Sequence, residues 1–177
     1  AIEEIEKAAQ NSDGISGVPT GFHELDKITA GWQKSDMIVL AARPGMGKTA
    51  FVLSMARNVA VDHNRGVAVF SLEMSSEQLS TRIISEQARI SSNDIRRGRI
   101  SDDQFDKFLV TSKNISELPL YIDETPAISI AALSNRARRI KRLFGLDMIV
   151  VDYIQLMRGT FNNKDGTDQE KSEITQG

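Results

Sequence analysis

Residues 37–49, MIVLAARPGMGKT, run from an aliphatic stretch through a glycine-bearing loop to a lysine and a threonine, and the apolar helical pattern AFVLSMARNVAVD follows directly. Strand, loop and helix in that order are the context a phosphate-binding loop requires. In such a loop successive backbone N–H groups turn inward and, with the positive end of the following helix, form a cavity for phosphate oxygens. Gly45 and Gly47 permit a close backbone approach, Lys48 can extend to the β- and γ-phosphates, and the Thr49 hydroxyl is placed to ligate a bridging magnesium ion. Nucleotide contacts are therefore expected from Arg43, Pro44, Gly45, Met46, Gly47, Lys48, Thr49 and Ala50. The pattern GxxxxGK[ST] is broken at its first position, where Ala42 must tolerate a Cβ.

Outward from this loop the chain alternates between short aliphatic runs and amphipathic stretches. VAVFSL (67–72), LPLYID (118–123) and MIVVDY (148–153) join MIVLAA (37–42) as candidate strands. None alternates strictly with polar residues, so each reads as a parallel strand covered on both faces. Stretches 49–62, 75–90, 101–115 and 129–144 are long enough to be crossover helices. The expected fold is α/β, a mainly parallel sheet flanked by helices.

A phosphate-binding loop alone hydrolyses nothing. Asp152 ends an aliphatic strand at the edge where ligands bind in open α/β sheets, and there it can accept from the shell of a magnesium ion. The next residue is Tyr153, so a base beside the metal-binding carboxylate is missing. Glu73, just after VAVFSL, is the candidate to orient and deprotonate water, provided its strand ends at the same sheet edge. Ser75 or Ser76 would cap the helix that follows and hold Glu73 in a fixed turn. Thus Lys48, Glu73 and Asp152 are the expected catalytic set, and Thr49 and Asp152 the expected Mg2+ ligands, with ATP as the nucleotide. Two basic groups stand apart: Arg96, Arg97 and Arg99, and then Arg136, Arg138, Arg139, Lys141 and Arg142. The second lies on a helix whose apolar stripe is Ile130, Leu133, Ala137, Ile140 and Phe144, so its cations are expected to face solvent or an interface.

Composition narrows the remaining classes. The 177 residues carry 22 Lys and Arg against 24 Asp and Glu, a net charge of -2 that offers no global attraction for nucleic acid or anionic membranes. There is no cysteine and only two histidines, His23 and His63, which argues against disulfides, thiolate chemistry and a structural zinc site. No apolar run approaches membrane-spanning length and the acidic N-terminus is not a signal peptide, so a cytoplasmic location is expected. Residues 1–10, AIEEIEKAAQ, read as a short amphipathic helix on the Gly- and Ser-bearing connector that leads to a main domain starting near Gly17. The acidic stretch DQEKSEIT (168–175) reads as the opening of a helix without its body, the pattern of a domain cut short.

With these motifs in view, the chain resembles the RecA-type motor domain of bacterial replicative DNA helicases of the DnaB family. The resemblance runs through GVPTGFHELDKITAGWQKSDMIVLAARPGMGKT, FSLEMSSEQLSTRI, YIDE, NRARRIKR and VVDYIQLMRG. Alanine is usual in that family at the position of Ala42. The resemblance implies a homohexameric ring with nucleotide between subunits, moving 5′ to 3′ on single-stranded DNA, with a primase and a helicase loader as partners. It makes residues 1–16 a linker helix and connector and 17–177 a partial motor domain whose DNA-binding loops and arginine finger lie further on. It also matches Arg82 to a recurring family arginine. A recombination ATPase of the RecA/RadA type and an ATP-dependent ring-assembly module without unwinding are the competing readings.

Overall fold

The computed structural model describes residues 14–153. Stretch 1–10, residues 154–158 of the last aliphatic motif and the acidic stretch 168–175 lie outside the described residues. In chain order the elements are α1 (His23–Thr29), α2 (Lys48–Arg57), a π-helical continuation (Asn58–Asp62), β1 (Val67–Ser71), α3 (Ser76–Ala88), α4 (Ser92–Arg96), α5 (Asp102–Ser116), β2 (Leu120–Asp123), α6 (Ile130–Phe144) and β3 (Met148–Asp152).

The sheet has the order β2-β1-β3 and is parallel throughout, with Phe70 opposite Asp123 and Ser71 opposite Asp152. β1 is central, and its two-residue period sorts its side chains between two apolar clusters. Val67 and Val69 meet Leu53, Ala56, Leu79 and Ile83 from α2 and α3, while Ala68 and Phe70 meet Ile128 and Ala137 on the α6 side. All five β1 residues are buried, as an aliphatic run without polar alternation predicts. At roughly 1.5–3 kcal/mol for each large apolar side chain removed from water, these clusters are the main force holding the strand ends in place.

Two expectations need correction, and one helix is added. Residues 37–42 do not form a strand: no ladder includes them, and Met37 and Val39 are 79% and 75% exposed. The physical reason is the lack of a partner, because both edges of β1 are already taken and no backbone bond joins residues 37–42 to the outer edge of β2 or β3. The stripe on α6 is buried only at its middle: Ala137 is enclosed, whereas Ile130 and Phe144 overhang the cluster and are exposed. Phe144 instead stacks on Tyr121, with ring centroids 5.4 Å apart. Finally, α4 is a separate short helix capped by Ser91, and it carries Arg96.

α1 was not read from the sequence, and it fastens the start of the domain to the helix of the phosphate-binding loop. Val18 and Trp32 bridge antiparallel, and Phe22 stacks on Phe51 of α2 at 4.7 Å. At the centre of this fastening is Asp26, buried at 4% exposure. Its carboxylate accepts from Thr20 N–H (2.8 Å), Thr20 Oγ1 (2.7 Å) and Gly21 N–H (3.1 Å), and Asn58 Nδ2 donates to Thr20 O (3.2 Å). Among the described residues no buried side-chain nitrogen or oxygen lacks a partner. Removing the carboxylate would strand three donors at once. We expect Asp26→Ala to lower unfolding stability by about 3 kcal/mol in urea titrations, since each stranded donor costs on the order of 1–3 kcal/mol. A loss below about 1 kcal/mol would show that water replaces the carboxylate.

Candidate functional site

Parallel strands put their C-terminal ends at one edge, and here that edge gathers the expected residues. β3 ends at Asp152, β1 at Ser71 two residues before Glu73, and β2 at Asp123. The candidate phosphate-binding loop precedes α2 at the same place. Gly45 and Gly47 have φ of +77° and +88°, the left-handed region that glycine enters without strain, and no atom comes within 4 Å of where a Cβ would stand on either. Gly47 is the N-cap of α2 and offers no side chain. Phe51 N–H to Gly47 O is the first bond of the helix, so the N–H groups of Lys48, Thr49 and Ala50 have no partner among the described residues. Arg43 and Met46 close the loop through Met46 N–H to Arg43 O, leaving the Met46 side chain exposed.

Asp152 is buried yet fully engaged. Thr49 Oγ1 donates to its Oδ2 at 2.9 Å, and Lys48 Nζ lies 3.8 Å from its Oδ1. The hydroxyl bond has good geometry, whereas the ammonium contact is long for an ion pair, so Thr49 orients the carboxylate and Lys48 mainly balances its charge. Lys48 Nζ also stands 4.6 Å over the ring of Tyr153, a cation–π contact. Tyr153 thus occupies the position of the missing base and holds the lysine, a role that sequence alone did not reveal.

Glu73 is exposed and makes no ion pair or hydrogen bond among the described residues. Its backbone, in contrast, is pinned on both sides. Leu72 N–H donates to Asp152 O at 2.8 Å, and Met74 N–H donates to the buried Ser71 Oγ at 3.0 Å. Of the two capping candidates it is Ser75 that caps α3, in a reciprocal box with Gln78.

Hard oxygen donors with at most one or two carboxylates are what Mg2+ takes when phosphates complete its shell. Thr49 Oγ1 and the Asp152 carboxylate, already at hydrogen-bond distance, fit that ion. No group of three or more His, Cys, Asp or Glu residues that could hold a metal without phosphate occurs among the described residues.

The second basic group divides. Arg136, exposed like Arg138, Arg139, Lys141 and Arg142, differs from them in reaching the strand edge, where its guanidinium bonds the Asp123 carboxylate and the Thr125 hydroxyl. Burial opposes ionisation of Asp123, but the Thr125 hydroxyl and N–H and the Arg136 guanidinium outweigh it and hold the carboxyl below its ordinary value. The Arg82 side chain, on α3, is exposed and forms no hydrogen bond or ion pair among the described residues. No helix among these residues is long and apolar enough to cross a membrane.

Comparison with known proteins adds the family. The family model described as DnaB-like helicase C terminal domain matches residues 17–177. The replicative DNA helicase DnaB of Geobacillus stearothermophilus is 45% identical over 166 residues, covering 93% of this chain and 37% of the relative. A solved ATPase domain superposes with a TM-score of 0.83 at 30% identity, covering 93% of this chain and 59% of that one. The structure of a DnaB-like replicative helicase and its interactions with primase gives 0.79 at 30% identity, covering 93% of this chain and 40% of that one. The fold is RecA-like, a mainly parallel sheet flanked by helices. The chain spans less than two fifths of the length of the replicative helicase it matches.

The Asp123 geometry sets an acid dependence. A carboxyl depressed in the folded state adds stability that is complete above its unfolded value of about 3.9 and is lost as pH falls through the lower folded value. We therefore expect the stability difference between the native chain and Asp123→Asn to shrink on acidification below about pH 4. Urea midpoints at a series of pH values check it. A difference that stays constant down to about pH 2 would mean that Arg136 does not discriminate the ionised form.

Proposed function

The chain belongs to the family of DnaB-like helicase C-terminal domains, and from that premise we propose that it binds and hydrolyses ATP to drive 5′ to 3′ translocation on single-stranded DNA and unwinding at the replication fork. The observation that carries the reading is the convergence of Lys48, Thr49 and Asp152 over 103 positions of chain, at the open N-terminus of α2. In this reading residues 43–50 cradle the phosphates through backbone N–H groups, and Lys48 leaves Asp152 and Tyr153 to reach the β- and γ-oxygens. Thr49 and Asp152 would hold the Mg2+ ion, which when bound neutralises charge on those oxygens.

Glu73 orients the attacking water and accepts its proton. Its strand ends beside that of Asp152 and its carboxylate is unencumbered, two conditions a general base needs. Residues 17–177 are the motor portion and 1–16 the linker. The assembled state is a homohexamer, and the primase named with one solved relative, together with a helicase loader, are the expected partners. DNA contacts are assigned to no residue among 14–153.

Lys48→Ala is expected to weaken ATP binding by roughly tenfold to a hundredfold, the loss of a charge-assisted bond of about 1.5–3 kcal/mol. Glu73→Gln is expected to lower ATP turnover by on the order of 10²- to 10⁴-fold while nucleotide binding changes little. Single-stranded DNA should stimulate turnover of the full-length protein, and a forked duplex should be opened from a 5′ tail. Turnover indifferent to DNA would favour the ring-assembly reading, and pairing of homologous strands without unwinding the recombination reading.

A further inference from the structure

The loop after β2 ends in a contact that the site described so far does not use. Glu124 is the first residue past β2, and it reaches across to α3, where its Oε2 accepts from the backbone N–H of Ser76. That N–H is the first of the helix that begins three residues after Glu73. Around Glu73 the N–H groups of Leu72, Met74, Ser75 and Ser76 are each taken, by Asp152 O, Ser71 Oγ, Gln78 Oε1 and Glu124 Oε2 respectively. Three of these acceptors belong to β1, to β3 or to α3 itself. Only Glu124 ties the turn to β2.

Glu124 is in turn held in place. Its neighbour Asp123 accepts from Thr125 N–H at 2.9 Å and from the Arg136 guanidinium, which also bonds the Thr125 hydroxyl. The chain around Glu124 is therefore clamped to α6, and its carboxylate meets the positive end of a 13-residue helix, where a negative charge is favoured.

We propose that Glu124 is a positioning residue for hydrolysis: by holding the N-terminus of α3 against the end of β2, it fixes the turn that aims Glu73 at the attacking water. The inference rests on the reading of Glu73 as the base. It assigns Glu124 no contact with nucleotide, so its loss acts on the chemical step and not on binding. Misplacing a catalytic group by about 1 Å can cost up to ~10²-fold, and a loosened turn with three remaining bonds costs less.

The test compares Glu124→Ala, Glu124→Gln and Glu73→Gln in the full-length protein, with Ser101→Ala as a control that removes the N-cap of α5, a helix that supplies none of the bonds to the turn. ATP turnover with saturating single-stranded DNA gives kcat and KM, and binding of a non-hydrolysable ATP analogue is measured separately. Glu124→Ala should lower kcat by about tenfold with KM and analogue binding within about twofold, and Glu124→Gln, which keeps an acceptor oxygen, should recover most of the loss. Ser101→Ala should leave kcat as it is. The proposal is overturned if Glu124→Ala keeps kcat within about twofold of the native protein while Glu73→Gln is inactive, or if Ser101→Ala loses as much as Glu124→Ala. If Glu73→Gln itself keeps its turnover, the reading of the base has failed, and that outcome differs from either of these.

Discussion

A buried carboxylate that must not be left alone governs this edge of the molecule. Asp152 ends β3 inside the fold, where an unpaired charge would cost several kcal/mol. Its carboxylate is compensated by Thr49 of α2 and by Lys48 beside it, while its backbone carbonyl accepts from the N–H of Leu72, just past β1. Those partners come from two separate parts of the sequence, residues 48–49 and Leu72. Satisfying that side chain fixes how α2 meets the sheet, and the backbone of the same residue ties down the end of β1. The same atoms are the ones a Mg2+ ion and phosphate oxygens would claim under the proposed function, so Thr49 and Asp152 stand side by side for the metal while Lys48 would be drawn off to the phosphates.

The site is divided between two strand ends. The residues proposed for phosphate and metal lie on α2 and β3, whereas the proposed base follows β1. Tyr153 explains the division in physical terms: the position next to Asp152 is filled by an aromatic ring that attracts the Lys48 ammonium, and a second carboxylate there would compete for that lysine. Moving the base to the adjacent strand keeps it clear of Lys48, but its aim then depends on a turn. That turn is bonded to β3, to its own helix cap and to β2 through Glu124.

Much of this was legible in the sequence. VAVFS and MIVVD become strands because their apolar side chains are buried by helices, and the serines at 75, 101 and 129 each begin a helix as cap chemistry predicts. MIVLAA has the same composition and yet forms no ladder, because a strand is a property of two chains and composition speaks for only one of them. α1 was missed because HELDKIT is short and polar, its stability coming from the buried Asp26 network and not from an apolar stripe. Arg136 was grouped with the outward cations on helical periodicity. Periodicity gives a face, whereas the carboxylate that draws this arginine back lies 13 residues earlier on β2.

The helix termini show where an anion is wanted. α3, α4, α5 and α6 each begin at a serine whose side chain accepts a backbone N–H, so the positive ends of those helices are already answered from within. α1 has no capping side chain but carries Glu24 and Asp26 in its first turn. α2 has neither device: its cap is Gly47 in the left-handed region, its first turn holds no acid, and Lys48 adds a further positive charge. Leaving a helix uncapped forgoes about 1 kcal/mol, and adding a lysine at that end runs against the helix dipole. Such a terminus is stable here because α2 is anchored through Leu53 and Ala56 in the core and Phe51 on Phe22. Among the described residues the fold thus concentrates unsatisfied donors and positive charge where the strand ends also bring the carboxylate proposed for the metal. A phosphate chain carrying a magnesium ion answers all three at once.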